Sequence, residues 1–320
     1  MGNKGWSVLF GVTMLACAIG FAVSPLMGWW MPEGVSAHAG AVDGLFYLIY
    51  AVTAVAFIIT EVILVIFMWR YAKTPDGKPP IAPNAGFPTF LKPFESFLND
   101  HHKIELAWTI VPSIVLLVIV FAQVNAWAEI KYATRNRNDG TKVDSARAQI
   151  AVSARQFEWR MRYPSAARFK GWMAEPAATR KDFESFGKIP HFDDVHVVNE
   201  LHIWKDHPVV VHLTTRDVIH SFNLPNFRVK QDALPGKMIP VWFTPTKVNC
   251  KWDESRQRYI DGYDPAGKKE KDKEYTWDIA CAELCGWGHY RMIGRVFVHK
   301  DQAEFLDWLQ KAEAEGTRRN

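Results

Sequence analysis

The chain has 320 residues, a formal charge of +4 and four cysteines. A charge this mild gives no nucleic-acid signature, and four cysteines are too few for a disulfide framework, so they read as ligands rather than staples. The length allows two or three structural units, and the apolar residues concentrate in the first 130 or so positions.

Three apolar segments, at about 6–30, 45–69 and 106–127, are long enough to span a bilayer, which takes about 20 residues. Trp29, Trp30, Trp69, Tyr71, Trp127 and Tyr132 stand near their ends, where amphipathic rings favour the membrane interface. The first connection carries no Lys or Arg, whereas the second carries Arg70, Lys73, Lys78, Lys92 and Lys103. That bias places the second, proline-rich loop in the cytoplasm and everything after the third segment on the outer side. Residues 1–38 read as a retained helix or a signal, because Ala37-His38-Ala39 resembles a cleavage site. Residues 39–135 then form a transmembrane hairpin. Glu61 lies inside an apolar segment, either as a functional acid or as a protonated acid against a neighbouring helix. Glu105 opens the third segment and reads, by itself, as an interfacial charge.

After a polar linker at 135–142 the periodicity changes to two. Phe157, Trp159, Met161 and Tyr163 alternate with Glu158, Arg160 and Arg162, the pattern of a half-buried strand. Similar runs at 208–215, 239–245 and 293–300, separated in places by turn signals, predict an antiparallel Greek-key sandwich or barrel over 136–320. Asp301 and Glu304 open a final short helix with Phe305, Leu306 and Leu309 on its apolar face. The stretches 164–198 and 247–273 exceed a minimal barrel and read as charged surface insertions. Cys250 lies in the second of them and reads as a free thiol.

The chemistry concentrates in CAELCGWGHYRM, residues 281–292. Thiolate, imidazole and thioether together on a β scaffold point to copper rather than zinc, which gains little from a methionine. One cysteine suffices for a mononuclear blue site, so two suggest a pair of coppers bridged by two thiolates. Such a pair needs a second imidazole. His220 in DVIHSFNLP alone would read as polar surface, and the downstream loop reverses that reading.

These two motifs closely resemble the binuclear CuA centre of haem–copper oxidase subunit II, whose pattern C-x-E-x-C-x-x-x-H-x-x-M is filled at every position. The resemblance implies a membrane-anchored all-β protein: two or three N-terminal helices followed by a cupredoxin-like Greek-key barrel. It implies that Cys281 and Cys285 bridge the coppers and that His220 and His289 supply one imidazole each. Met292 would be a weak thioether ligand, and Glu283 would give its main-chain carbonyl to copper and its side chain to a magnesium ion shared with subunit I. HHKIELAWTIVP is similar to the start of the family's last transmembrane helix, which makes Glu105 the mouth of a proton path. QFEWRMRY is similar to the family's aromatic strand at electron uptake, which assigns Phe157 and Trp159 there. Phe157 stands where the family usually has tryptophan, and Arg216 stands beside Asp217 where another acid is common.

The implied function is that of an electron-accepting subunit of a cytochrome c oxidase, in a bacterial inner membrane with the copper domain on the periplasmic side. It would take electrons from cytochrome c or from a haem c subunit of a neighbouring complex. It would pass them to haem in subunit I, where oxygen is reduced and protons are pumped. The chain lacks CxxCH, so no haem is expected on it. The alternatives are a CuA-bearing nitric oxide reductase subunit and a non-enzymatic copper carrier. A quinol oxidase subunit, which lacks the copper ligands, is disfavoured by the complete set.

Overall fold

The computed structural model describes residues 3–27, 29–72, 101–132, 148–175, 186–265 and 275–319. The proline-rich loop with Lys73, Lys78 and Lys92, the linker at 135–142 and parts of both insertions lie outside the described residues. The chain divides into two units, one of residues 1–31 and 43–125, the other of residues 32–42 and 126–320.

The first unit holds the apolar helices α1 (Asn3–Val23), most of α2 (Ala39–Arg70) and most of α3 (His101–Tyr132). All three are long and apolar enough to cross a membrane. The first is shorter than its apolar run. It ends at Val23, before Ser24-Pro25, because a residue preceding proline is driven out of the helical region. The chain then turns back, and Trp30 packs edge-on against Tyr50 with ring centroids 4.7 Å apart. Glu61 is half-buried in α2 and Glu105 is exposed in the first turns of α3.

The second unit is built on two five-stranded sheets, as the alternating pattern predicts. One has the order β3 (Val195–Val198), β2 (Glu158–Tyr163), β1 (Ala148–Arg155), β5 (Val209–Thr215), β8 (Ile239–Phe243). The other has the order β4 (Glu200–Trp204), β12 (Ile293–His299), β11 (Trp277–Cys281), β6 (His220–Leu224), β7 (Val229–Ala233). Most pairings are antiparallel, but β1 runs parallel to β5 and β12 parallel to β4. Those two pairings need chain crossovers between the sheets, as a Greek key does. Val152, Trp159, Met161, Val211 and Leu213 from one sheet and Leu201, Phe222, Ile279, Trp277 and Val298 from the other are fully buried in one core. Each such side chain contributes about 1.5–3 kcal/mol over its exposed state.

The C-terminal helix, α5 (Gln302–Arg319), starts as its capping residues predict. The Glu304 amide donates to Asp301 Oδ1 at 2.9 Å, and the Lys300 amide to Glu304 Oε2 at 2.8 Å. Trp308 of α5 stacks on buried His202 with centroids 3.8 Å apart.

Three features depart from the sequence-based expectation. The stretch 164–198 is more than a surface insertion. Its helix α4 (Ala166–Ala174) buries Phe169, and its last residues are β3 itself. Arg162, on the strand face expected to be solvated, is only 8% exposed there. It pairs with Asp194 at 2.5 Å and lies over the Phe186 ring. Likewise 247–273 carries the hairpin β9 (Lys251–Asp253) and β10 (Arg258–Ile260). Asn249 stitches that stretch to β12, its side chain donating to Val296 O at 2.8 Å and accepting from the Val298 amide at 2.7 Å. Cys250 is a buried free thiol, as expected.

The third departure concerns residues 32–38, which read as a bare connection between two apolar segments. They form a strap on the β unit. The Val35 amide donates to Asn226 O at 2.8 Å, the Thr246 amide to Val35 O at 2.9 Å, and the Ala37 amide to Thr244 O at 2.9 Å. Ser36 Oγ donates to Phe227 O at 2.6 Å, and Lys247 pairs with Glu33. Val35 is wholly buried in the same core as Trp159 and Phe222.

Candidate metal centre

The site is made by strand ends. Strand β6 begins at His220 and its neighbour β11 ends at Cys281, with Cys281 opposite Phe222 in the antiparallel register. Strand β12 begins just after Met292, and the Cys281 amide donates to Met292 O at 3.2 Å. The eleven residues between Cys281 and Ile293 therefore form a loop that closes at one end of the sheet. Its second half is a tight turn: the His289 amide donates to Gly286 O at 3.1 Å, and the Met292 amide to His289 O at 3.1 Å. This turn brings Cys285, His289 and Met292 back over Cys281.

The donor atoms converge. Cys281 Sγ lies 3.9 Å from Cys285 Sγ and 3.8 Å from His220 Nδ1. Cys285 Sγ lies 3.6 Å from His289 Nδ1 and 3.8 Å from Met292 Sδ. Glu283 O lies 3.2 Å from Cys281 Sγ. Metal–thiolate bonds of about 2.3 Å span a gap of that size between two sulfurs. His220 and the Glu283 carbonyl are close to the Cys281 sulfur, His289 and Met292 to the Cys285 sulfur, and the donor atoms of His220, Cys281 and Cys285 all lie within 4.8 Å of one another. His220 and Met292 have no solvent exposure and Cys285 has 4%.

Burial and the neighbouring Cys281 sulfur push the Cys285 thiol up to about 12. A metal ion bound at Cys285 would displace that proton. The donor set of two thiolates, two imidazoles and a thioether suits soft copper.

Asp217 and Gln156, neither of which reads as functional in the sequence, organise the site. His220 Nε2 donates to Asp217 Oδ1 at 2.8 Å, which leaves Nδ1 as the lone pair facing Cys281. The other oxygen of Asp217 accepts from the Gln156 amide at 2.7 Å. The Gln156 side chain donates to Cys285 O at 2.5 Å. One residue thus ties the carboxylate behind His220 to the backbone of the cysteine loop. Hydrogen bonds from Gln156 and Val218, and the one to His220, hold Asp217 below the usual carboxylate range even though partial burial raises it. Asp217→Ala is expected to leave the fold intact and weaken copper binding by about 10–100-fold, the usual cost of losing a ligand's orienting partner. A chelator-competition titration measures this, and unchanged affinity would contradict it.

The two aromatics expected at electron uptake take different positions. Phe157 belongs to the turn between β1 and β2 rather than to the strand. Its ring lies on the cysteine loop, where a Cβ on Gly288 would clash with the Phe157 ring. Gly286, at φ +131°, would likewise press on the Gln156 side chain and on Phe157. Glycine at both positions lets the ring and the loop meet. Trp159 has no solvent exposure and backs His220 from inside the barrel, with ring centroids 6.3 Å apart. The Glu283 side chain is exposed.

Comparison with known proteins follows the same lines. Residues 149–254 match the family described as cytochrome C oxidase subunit II, periplasmic domain, and residues 91–125 match its transmembrane domain. The cytochrome c oxidase subunit 2 of Thermostichus vulcanus is 24% identical across 98% of this chain and 86% of that one. The alternative cytochrome c oxidase subunit 2 of Bradyrhizobium diazoefficiens is 23% identical across 93% of this chain and 90% of that one. The crystal structure of the periplasmic domain of cytochrome oxidase subunit II from Bradyrhizobium japonicum aligns with a TM-score of 0.35 at 22% identity, over 53% of this chain and 96% of that one.

Proposed function

We infer that this chain is a member of the cytochrome c oxidase subunit II family, whose periplasmic and transmembrane descriptions match residues 149–254 and 91–125, and from that premise follows how its residues receive electrons and hand them on. It is the electron-accepting subunit of a haem–copper oxidase, a membrane protein with a periplasmic domain. The observation that carries the reading is the convergence of both thiols on one another and on separate imidazoles, 3.8 and 3.6 Å away.

The residues have distinct tasks. Cys281, Cys285, His220, His289, Met292 and the Glu283 carbonyl are the groups that would hold copper here. When bound, copper held by these residues would supply a one-electron carrier. The protein's part is to keep the site fixed and dry. Strands β6, β11 and β12 fix the ends of the loop, Asp217 and Gln156 fix ring and backbone, and the barrel core behind His220 excludes water. The exposed Glu283 carboxylate fits a magnesium ion shared with the catalytic subunit. The donor is cytochrome c or a haem c subunit of a neighbouring complex, and subunit I is the acceptor. The charge bias of the helix connections fits a bacterial inner membrane with the copper domain in the periplasm.

The purified complex is expected to contain two coppers per copy of this chain and to show a mixed-valence signal spread over both. It should consume oxygen with a reduced cytochrome c. One copper per chain, or turnover with nitric oxide but not with oxygen, would overturn this assignment.

Glu105 is a further part of the reading. It is exposed near the start of α3, the end that the charge bias puts in the cytoplasm. A carboxylate there collects protons that an amide does not. Glu105→Gln is expected to slow steady-state turnover several-fold while copper content and electron uptake stay as in the wild type. Unchanged turnover across a pH series would leave Glu105 as an interfacial charge only.

A further inference from the structure

We propose that Trp287 is the ring through which electrons enter this protein and on which the donor's haem edge rests. The proposal builds on the functional reading above and deepens it. Trp287 lies on the loop between Cys285 and His289, two residues beyond Cys285, and is 75% exposed. Its ring meets Phe157 edge-on, with centroids 5.2 Å apart. Phe157, in turn, lies against the backbone of Gly286 and Gly288. Along this line Phe157 is therefore the inner ring, half-covered, and Trp287 is the outer one. A donor approaching the cysteine loop from this side meets the indole first.

Three physical points support the assignment. First, an electron crosses ring systems in contact, and short covalent paths, more readily than open gaps. Trp287 offers both, a two-residue backbone path to Cys285 and a ring contact to Phe157. Second, a tryptophan at this exposure leaves a large apolar surface in water. Tryptophan is among the residues that carry most of the energy at protein interfaces. Leu284 and Tyr290 of the same loop are also exposed, at 78% and 74%. Third, the ring is held in place. The Arg291 guanidinium lies 4.5 Å from its centroid, a cation–π contact that restrains the indole face. That arginine also puts positive charge beside the contact, and exposed Arg216 adds more next to Asp217. The fitting partner is a haem protein whose haem edge is framed by apolar or acidic groups, not by a ring of lysines.

The step balances simply. One electron leaves the donor's ferrous haem, which becomes ferric, and reduces the copper pair by one. No bond forms or breaks and no proton moves. Trp287 provides the path and is not itself oxidised.

The test compares Trp287→Leu and Trp287→Phe in the whole complex, with a reduced soluble cytochrome c whose haem edge is framed by apolar or acidic groups as donor. Three quantities are read: copper content with its mixed-valence signal, donor affinity of the copper-depleted complex, and the electron-transfer rate at saturating donor. Trp287→Leu is expected to keep the copper signal, weaken donor binding to the depleted complex, and slow the saturated rate by about tenfold or more. Trp287→Phe, which keeps an aromatic ring, should restore most of that rate. A saturated rate in the leucine variant equal to the wild type overturns the assignment, as does unchanged donor binding. Loss of the copper signal in the leucine variant also overturns it, because the ring would then be a structural support. If the wild type takes no electrons from any cytochrome c, the functional reading falls and this assignment falls with it. If the wild type does and the variants match it, only this assignment falls.

Discussion

Replacing Cys285 by serine, or Cys281 by serine, is expected to abolish the copper pair and reduce electron uptake from a cytochrome c to background. A serine hydroxyl keeps its proton at neutral pH and is a hard oxygen donor, whereas the site relies on two soft anionic sulfurs 3.9 Å apart. Each sulfur is also close to an imidazole of the proposed site, so loss of either removes one of its two thiolates. The fold should persist, because the replacement is nearly isosteric and the strand ends are tied by their own backbone bonds, such as that from the Cys281 amide to Met292 O. Far-ultraviolet circular dichroism should therefore match the wild type while the mixed-valence signal disappears. Met292→Leu makes the informative contrast. A thioether 3.8 Å from one sulfur tunes more than it holds, so that variant is expected to keep two coppers and shift their potential. A cysteine variant that retained the delocalised signal would refute the bridging geometry.

The site was legible in the sequence to the extent that it is local. Five of the donors stand within twelve residues, and their spacing already implies a loop folding back on itself. His220 needed the second motif, because a histidine at the start of a strand has no distinctive pattern of its own. Gln156 was not legible at all. It acts by reaching from the β1–β2 turn to Cys285, a residue 129 positions away, and no periodicity marks a glutamine for that. Asp217 registered only as a charge beside Arg216, because its function depends on two bonds to groups from different elements.

The fold shows the same division. The alternation in residues 158–163 places Trp159, Met161 and Tyr163 inside, as expected, since period two reads one sheet face directly. It misassigns Arg162, because Phe186 and Asp194 of a later segment lie against it on the outer face of that sheet. Alternation cannot reveal what a later segment will lay across a strand. The two long apolar stretches likewise announce helices but not the docking of the residues between them. Val35 sits among polar and small residues, 191 positions before the Asn226 carbonyl that its amide meets.

Val35 carries the second large effect. Its side chain has no solvent exposure, and the strap around it contributes backbone bonds from Val35, Ala37 and Thr246. Val35→Ala removes two methyl groups from the core, which costs about 2 kcal/mol together with any cavity left behind. For a domain of this size that lowers the midpoint of unfolding by about 4–8 °C. Val35→Asp places an unpaired carboxylate in the same slot and is expected to cost about 4 kcal/mol or more, enough to empty the metal site at growth temperature. Thermal melts followed through the copper absorbance measure both, and a Val35→Asp complex as stable as the wild type would show that the strap is dispensable. The same packing bears on the Ala37-His38-Ala39 motif. Cleavage there would extract Val35 from the core and remove the Val35 and Ala37 amides that bond Asn226 and Thr244. The mature chain is therefore expected to retain residues 32–38, and an intact mass lacking them would refute this. In that reading the strap serves the outer unit as an additional edge segment, bonded beside β8 at Thr244 and Thr246, rather than as a spacer between two membrane segments.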